Sequence, residues 1–450
     1  MNKANTMMKI ATTITLSASI AMAQDLTITA PPQVNPIAIV GATVHTVSGP
    51  VYEDGWVLFE DGFITGVGPA GSDRIFNATT TIIDATGKHV YPGLIGSYTQ
   101  LGMREIGSVR ATRDEDELGA LSPEARSTVA VNPDSWLLPV ARHNGVLAAG
   151  VFPTGGSIPG RAGVIQLEGW TTEDLTLEAN AGLVINWPRQ RPIDAWWMDQ
   201  SDAEQLDEIR EQMRVINDIV EQAEAYRDAG DNATTDLVLE AIVPSLPRGR
   251  EEPEKQVFIQ ANDLDQITSA VSWATGKGMR VVLLGARDAP LAADLLKEHD
   301  VSVIALGNIG FPKRADSPYD DAYTLPARLE AAGISWCLQS GDEPAHERNL
   351  PHYAGQAVAY GLDPEAALRG ITLSAAEILG VDRLIGSLEA GKHATLLVAD
   401  GNIFEVTTTV ERAFVQGRDI DLSNKQTELA DKYREKYRQL NVNRANAPQR

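Results

Sequence analysis

The run Phe152-Pro153-Thr154-Gly155-Gly156-Ser157-Ile158-Pro159-Gly160-Arg161 is the first place where this chain could do chemistry. Glycine lets backbone N–H groups come close to an anion or a carbonyl oxygen, so Gly155 and Gly156 are candidate binding positions. A plain tight turn has the same composition, and the Gly-Lys-Ser/Thr ending of a phosphate-binding loop is absent. Arg348, in Arg348-Asn349-Leu350-Pro351, could clamp a substrate carboxylate or pair with Glu343 or Glu347. The seven histidines are His45, His89, His143, His299, His346, His352 and His393. Most fall in β-rich stretches, in helices or at helix ends, where a hydrogen-bonding role is commoner than a metal. The one cysteine, Cys337, lies in the apolar run Ile334–Leu338 and reads as a buried strand residue, because nothing nearby in sequence would depress its pKa. Trp187, Trp196 and Trp197 could line a pocket for an apolar substrate, but read rather as packing under a long loop.

The elements that must position these residues are clearest between about 255 and 380. Strand-like runs at Gln256–Ala261, Arg280–Leu284, Val301–Leu306 and Ile334–Gln339 alternate with helical stretches at 263–275, 289–299, 325–332, 352–360 and 364–380. Apolar runs bounded by glycine and separated by helices predict parallel βαβ units, in a barrel or a doubly wound sheet. The earlier half is less regular, with strands expected at 90–95, 146–152 and 182–186. Leu206, Ile209, Met213, Ile216, Val220 and Ala223 form a helical stripe there. Both chain ends are β-rich. Trp56–Glu60 and Phe63–Val67 flank Asp61-Gly62, a hairpin signal, and 396–399 and 410–415 supply matching strands near the C-terminus. A charged helix is expected around Leu429–Tyr437, with Tyr433 and Tyr437 on one face, docked on the barrel or used as a subunit contact.

The balance of 38 Lys+Arg against 61 Asp+Glu gives a formal charge of -23. Such acidity disfavours nucleic acid and anionic membrane surfaces as partners. Lys3 and Lys9, the uncharged run to Met22 and the small-x-small pattern Ala21-Met22-Ala23 predict a signal peptide over 1–23, hence export to the periplasm or medium, with no membrane insertion after its removal. One cysteine excludes an internal disulfide, so stability rests on a large core.

At Tyr91-Pro92-Gly93-Leu94-Ile95, and again at Ile385-Gly386-Ser387-Leu388-Glu389-Ala390-Gly391-Lys392, the chain resembles the metal-dependent amidohydrolase superfamily, particularly its imidazolonepropionase-like branch. The likeness spans nearly all of 37–422. It implies an α/β fold, a (β/α)8 TIM-type barrel over 91–383. A small composite β-sandwich would be built from 35–90 and 384–422, with a leader at 24–34 and a helix and tail at 423–450. It further implies a hydrolase of non-peptide C–N bonds, in a cyclic amide or similar small molecule. The family's cofactor is a divalent metal such as zinc, gripped at the barrel mouth by histidines. Where the family carries Asp-x-His-x-His, this chain reads Gly96-Ser97-Tyr98-Thr99-Gln100, which puts Tyr98 and Gln100 at the two histidine positions. Gln260 and Arg287 fall where the fifth and sixth strands end, and Asp342 corresponds to the family's eighth-strand acid, the candidate general base. With the usual ligands replaced, no metal ligand is assigned and the cofactor stays open. The alternative is a catalytically inactive amidohydrolase-like protein that binds a small molecule or a partner, either a second copy or a paralogue.

Overall fold

A computed structural model of the chain describes residues 28–71, 76–249, 251, 253–306, 309–341 and 343–445. The signal peptide expected over 1–23 lies outside these residues.

Two eight-stranded sheets organise the molecule. The first contains β1 (Ile37–His45), β2 (Val51–Glu60), β3 (Phe63–Pro69), β4 (Thr81–Asp84) and β5 (His89–Pro92), and from the far end of the chain β14 (Leu396–Ala399), β15 (Val410–Val415) and β16 (Arg418–Ile420). Its path is β16-β15-β14-β5-β1-β2-β3, with β4 paired beside β5 along β1. Both chain ends therefore build it, through the antiparallel β5–β14 pair. Its strands are hydrogen-bonded into one connected sheet with its own core of Ile39, Val57, Phe59, Val90, Leu396 and Phe414. The β2–β3 hairpin turns at Asp61 (φ 51°) and Gly62 (φ 83°), the pair of positive φ values that an Asp-Gly turn accepts.

The second sheet is the barrel. Its order is β13-β12-β11-β10-β9-β8-β7-β6, comprising β6 (Leu94–Thr99), β7 (Val146–Val151), β8 (Gly160–Gln166), β9 (Thr176–Asn186), β10 (Gln256–Ala261), β11 (Val281–Gly285), β12 (Ser302–Ala305) and β13 (Trp336–Leu338). The seam closes between β13 and β6, where the Ser97 hydroxyl donates to the Leu338 carbonyl (3.0 Å). The strand expected over 90–95 is divided at Gly93 between the two sheets. Side chains alternate in and out of the wall. Val257, Ile259, Val281, Leu283 and Val303 face the helical shell. Ile95, Phe152, Phe258, Leu284, Ile304 and Cys337 fill the interior, and the helix Leu373–Leu379 packs into the same cluster.

This is a TIM-type barrel with one departure from the expected (β/α)8 pattern. β8 runs antiparallel to both β7 and β9. Only residues 152–159 separate β7 from β8, and a parallel crossover needs a dozen or more residues. The chain can therefore only turn back. Long loops carry the rest of the mouth, and the segment before residue 130 pairs with the β7–β8 connection at Asp116–Thr154, Leu121–Ile158 and Arg126–Arg161. Among the described residues no helix is long and apolar enough to cross a membrane.

Candidate functional site

Seven of the eight barrel strands point the same way, and in such barrels the chemistry sits at their C-terminal ends. There a cavity of about 580 Å³ opens between the ends of β10–β13 and the long connection after β12. Alternation along β10 turns Phe258 inward and Gln260, two residues on, into this cavity. Asn262 lies against Gly285, where a Cβ would sit 2.3 Å from the Asn262 side-chain oxygen, so only glycine permits the approach. Arg287 follows, with its Nε 3.5 Å from Asp288 Oδ1 and no hydrogen bond of good geometry. Asp288 is buried and is held from elsewhere, by Arg314 and by the Leu264 amide (3.1 Å). Lys313 adds a second cation to the cavity wall, and Ile309 and Phe311 add apolar cover. The acid in the same wall, Asp321, is taken by Arg328 Nη2 (2.8 Å). Among the described residues the cavity thus offers two cations, two carboxamides and an apolar rim, in a protein of strongly negative charge.

The other residues expected in the site are dispersed. Tyr98 packs on Phe152, ring centroids 4.8 Å apart, in the barrel interior. Gln100 is buried, and its Nε2 has no partner of good geometry. Both belong to the mouth end of β6 but neither lines the cavity. Gly156 lines a separate open depression with Ser157, Asn186 and Arg189. The glycine turn is pinned from both sides: Asn186 Nδ2 donates to the carbonyls of Gly155 and Gly156 (3.0 and 2.8 Å), and the Thr154, Ser157 and Ile158 amides donate to Glu115 and Ala120 carbonyls. Arg348 belongs to the turn Pro344–Asn349, which packs against the helix Leu137–Arg142 outside the barrel wall; its carbonyl accepts from Asn144 (2.8 Å). Asp342 lies outside the described residues, flanked by Gly341 of the cavity wall. Of the histidines beyond it, His346 reaches the cavity, whereas half-buried His352 does not line it and has its pKa lowered by burial. Of the three tryptophans expected to pack, only Trp187 does, against Trp273 (4.8 Å); Trp196 and Trp197 are exposed.

Two groups at the seam escaped sequence reasoning. Gln339 follows inward-facing Cys337, is fully buried, and donates to the Gly341 carbonyl (2.6 Å). Glu347 is 0% exposed and is aimed at the outer face of β6, where a Cβ on Gly96 would lie 2.2 Å from its Oε1. Burial pushes its carboxyl up to about 7, against a smaller opposing pull from the Ser340 and Thr99 hydroxyls. The only advance signal was a glycine opposite an acid distant in sequence, which no local pattern reveals. Cys337 fares as expected: it is buried in its strand, and desolvation raises its thiol to about 12.

Comparison with known proteins fits this architecture. A family model described as "Amidohydrolase family" matches residues 320–420. An imidazolonepropionase from Brevibacillus brevis is 25% identical over 407 residues, 80% of this chain and 87% of the relative. One from Shewanella frigidimarina is 38% identical over 58 residues, 13% of each chain. Among solved structures, an amidohydrolase from Thermotoga maritima superimposes with a TM-score of 0.73 at 22% identity, over 86% of this chain and 99% of that one. Residues 320–420 thus match the amidohydrolase family, and the chain as a whole shares the fold of the Thermotoga maritima amidohydrolase. Along most of its length it is similar to an imidazolonepropionase.

The divalent metal that this family implies does not fit the residues present. Among the described residues no three His, Cys, Asp or Glu side chains converge on a point. The mouth end of β6 supplies a phenol packed at a tilt against Phe152 and a carboxamide whose unmatched buried atom is a donor, not a metal-binding acceptor.

Proposed function

We propose that this chain hydrolyses a non-peptide C–N bond in a small molecule, a cyclic amide or similar compound bearing a carboxylate, bound in the mouth cavity. The cavity's charge carries the reading: Arg287 and Lys313 stand in the wall of an otherwise acidic protein. They would hold a carboxylate, Gln260 and Asn262 would hydrogen-bond the amide, and Phe311 would shield it from water. Asp342, next to Gly341, is the group we assign as general base. It would take a proton from the attacking water and return it to the leaving nitrogen as the C–N bond breaks. No step is routed through a metal.

A second reading, a catalytically inactive protein that binds the same anionic ligand, is favoured by the donor chemistry at the mouth of β6. The two separate on turnover of a panel of carboxylated cyclic amides, measured with and without chelator, beside calorimetric binding of the same compounds. Turnover lost in Arg287→Ala and Asp342→Asn supports hydrolysis. Saturable binding without turnover supports the binder. Neither binding nor turnover removes both.

A further inference from the structure

The last helix, Lys425–Ala445, leaves the body at Asn424, whose buried side chain caps it by accepting from the Gln426 and Thr427 amides (2.8 and 3.1 Å). Its root is fixed. Leu422 packs on the core, the Leu422 carbonyl lies 2.9 Å from His143 Nδ1, and Lys425 sits over the Trp136 ring (5.5 Å). Beyond the root nearly every described side chain along it is exposed. Yet it carries one apolar stripe, Leu429, Tyr433, Tyr437 and Leu440, at spacings of four, four and three residues, which share a helical face. A helix polar on all other sides and attached at one end only gains little from propensity alone. Its charge is also out of keeping with the chain. Lys425, Lys432, Arg434, Lys436, Arg438 and Arg444 outnumber Glu428, Asp431 and Glu435, for +3 against -23 on the whole chain.

Beside that root lies a groove of about 210 Å³ with the opposite character. Its apolar lining includes Ile28, Leu138 and Trp170; Arg142 is paired with Glu168 in its wall, which leaves Asp134 and Asp421 as its acids. Ile28 and Trp170 are 80% and 61% exposed, large apolar groups left uncovered in an acidic setting. The groove adjoins the point where the helix departs, because Asp421 belongs to both. No residue of the helix lines this groove, and the helix stripe stays exposed.

We propose that the cationic helix of one copy seats its Leu429–Leu440 stripe in the Trp170 groove of a second copy, and that the exchange is reciprocal. Helix root and groove are neighbours on each chain, so a two-fold axis between two roots brings each helix to the other's groove. The match of +3 helix to acidic groove makes the association salt-sensitive.

The test is sedimentation velocity on the full chain at micromolar concentration, in low and high salt. Two full-length variants are compared with it: Tyr433→Asp on the helix stripe and Trp170→Asp in the groove. The expected result is a dimer weakened by salt and by at least about tenfold in either variant, with thermal unfolding unchanged because both side chains are exposed. A wild-type monomer in low salt overturns the proposal. So does a dimer broken by Tyr433→Asp but not by Trp170→Asp, which would mean that the helices pair with each other or dock elsewhere. Co-sedimentation of the helix-bearing monomer with anionic vesicles would reassign the stripe to a lipid surface. Because the readout is mass, the result is independent of whether the mouth cavity hydrolyses anything.

Discussion

Replacing Glu347 by Gln should change how stability depends on pH, and by a calculable amount. The carboxyl is fully buried beside Gly96, and burial pushes it up to about 7 from the ordinary glutamate value of 4.5. The unfolded chain ionises it first as pH rises. The folded protein is therefore favoured by this group below 4.5, and that advantage is lost progressively as pH climbs through about 7. The difference in pKa corresponds to roughly 3 kcal/mol, of order-of-magnitude accuracy, at 1.36 kcal/mol per unit. Glutamine keeps the shape and cannot ionise, so Glu347→Gln is free of this loss. Urea unfolding of both proteins at pH 5 and pH 8 measures it. The stability of Glu347→Gln relative to wild type should rise by about 2–3 kcal/mol between those two conditions. A relative stability that stays constant within about 0.5 kcal/mol would show that the carboxyl is not desolvated at the seam.

Three further outcomes follow from the geometry. Glu168 pairs with Arg142 in a buried contact and also accepts from the Ala30 amide (2.8 Å), so Glu168→Ala should cost about 3–5 kcal/mol by stranding the guanidinium. Urea titration should show the double replacement Arg142→Met/Glu168→Leu recovering much of that loss. His45, stacked on Tyr91 (4.3 Å) and 3.0 Å from a His89 ring nitrogen, is lowered to about 4, mainly by burial and next by the charge of His89. Its stabilising effect is present above pH 6.5 and disappears as pH falls through about 4, so thermal melts of His45→Gln should lose less stability across that window, by about 2 kcal/mol after allowance for solvent. Arg287→Ala should raise KM for carboxylated amides about tenfold or more, the worth of a charge-assisted hydrogen bond, with little change for uncharged analogues; an equal effect on both would refute the carboxylate role.

Much of the barrel could be read in advance because its inner and outer faces are both apolar and its strands are bounded by glycine. β10 occurs over Gln256–Ala261 as expected, and the Asp61-Gly62 turn is where the pattern put it. β8 could not be read, because Gly160, Arg161 and Gly163 imitate a loop and only pairing with β7 and β9 makes them a strand. The helix expected over 364–380 is two, Pro364–Gly370 and Leu373–Leu379. At the site, strand ends gave Gln260 and Arg287 their place at the cavity. Arg348 and the glycine pair are governed by contacts with Asn144 and with the segment around Glu115 and Ala120, partners remote in sequence. Glu347 needed its approach to Gly96 and its burial, neither of which is visible along the chain.

The β5–β14 pair has a consequence for biosynthesis. Residues 89–92 pair with β1 on one side, but on the other their neighbour is 396–399, far along the chain. Contacts so distant along the chain form slowly, since a very long loop must be closed before they give anything back. Strands β1 to β5 therefore leave the ribosome with one border bare until β14 has been made. A nascent chain stalled before Leu396 would expose an unpaired β5 to other chains.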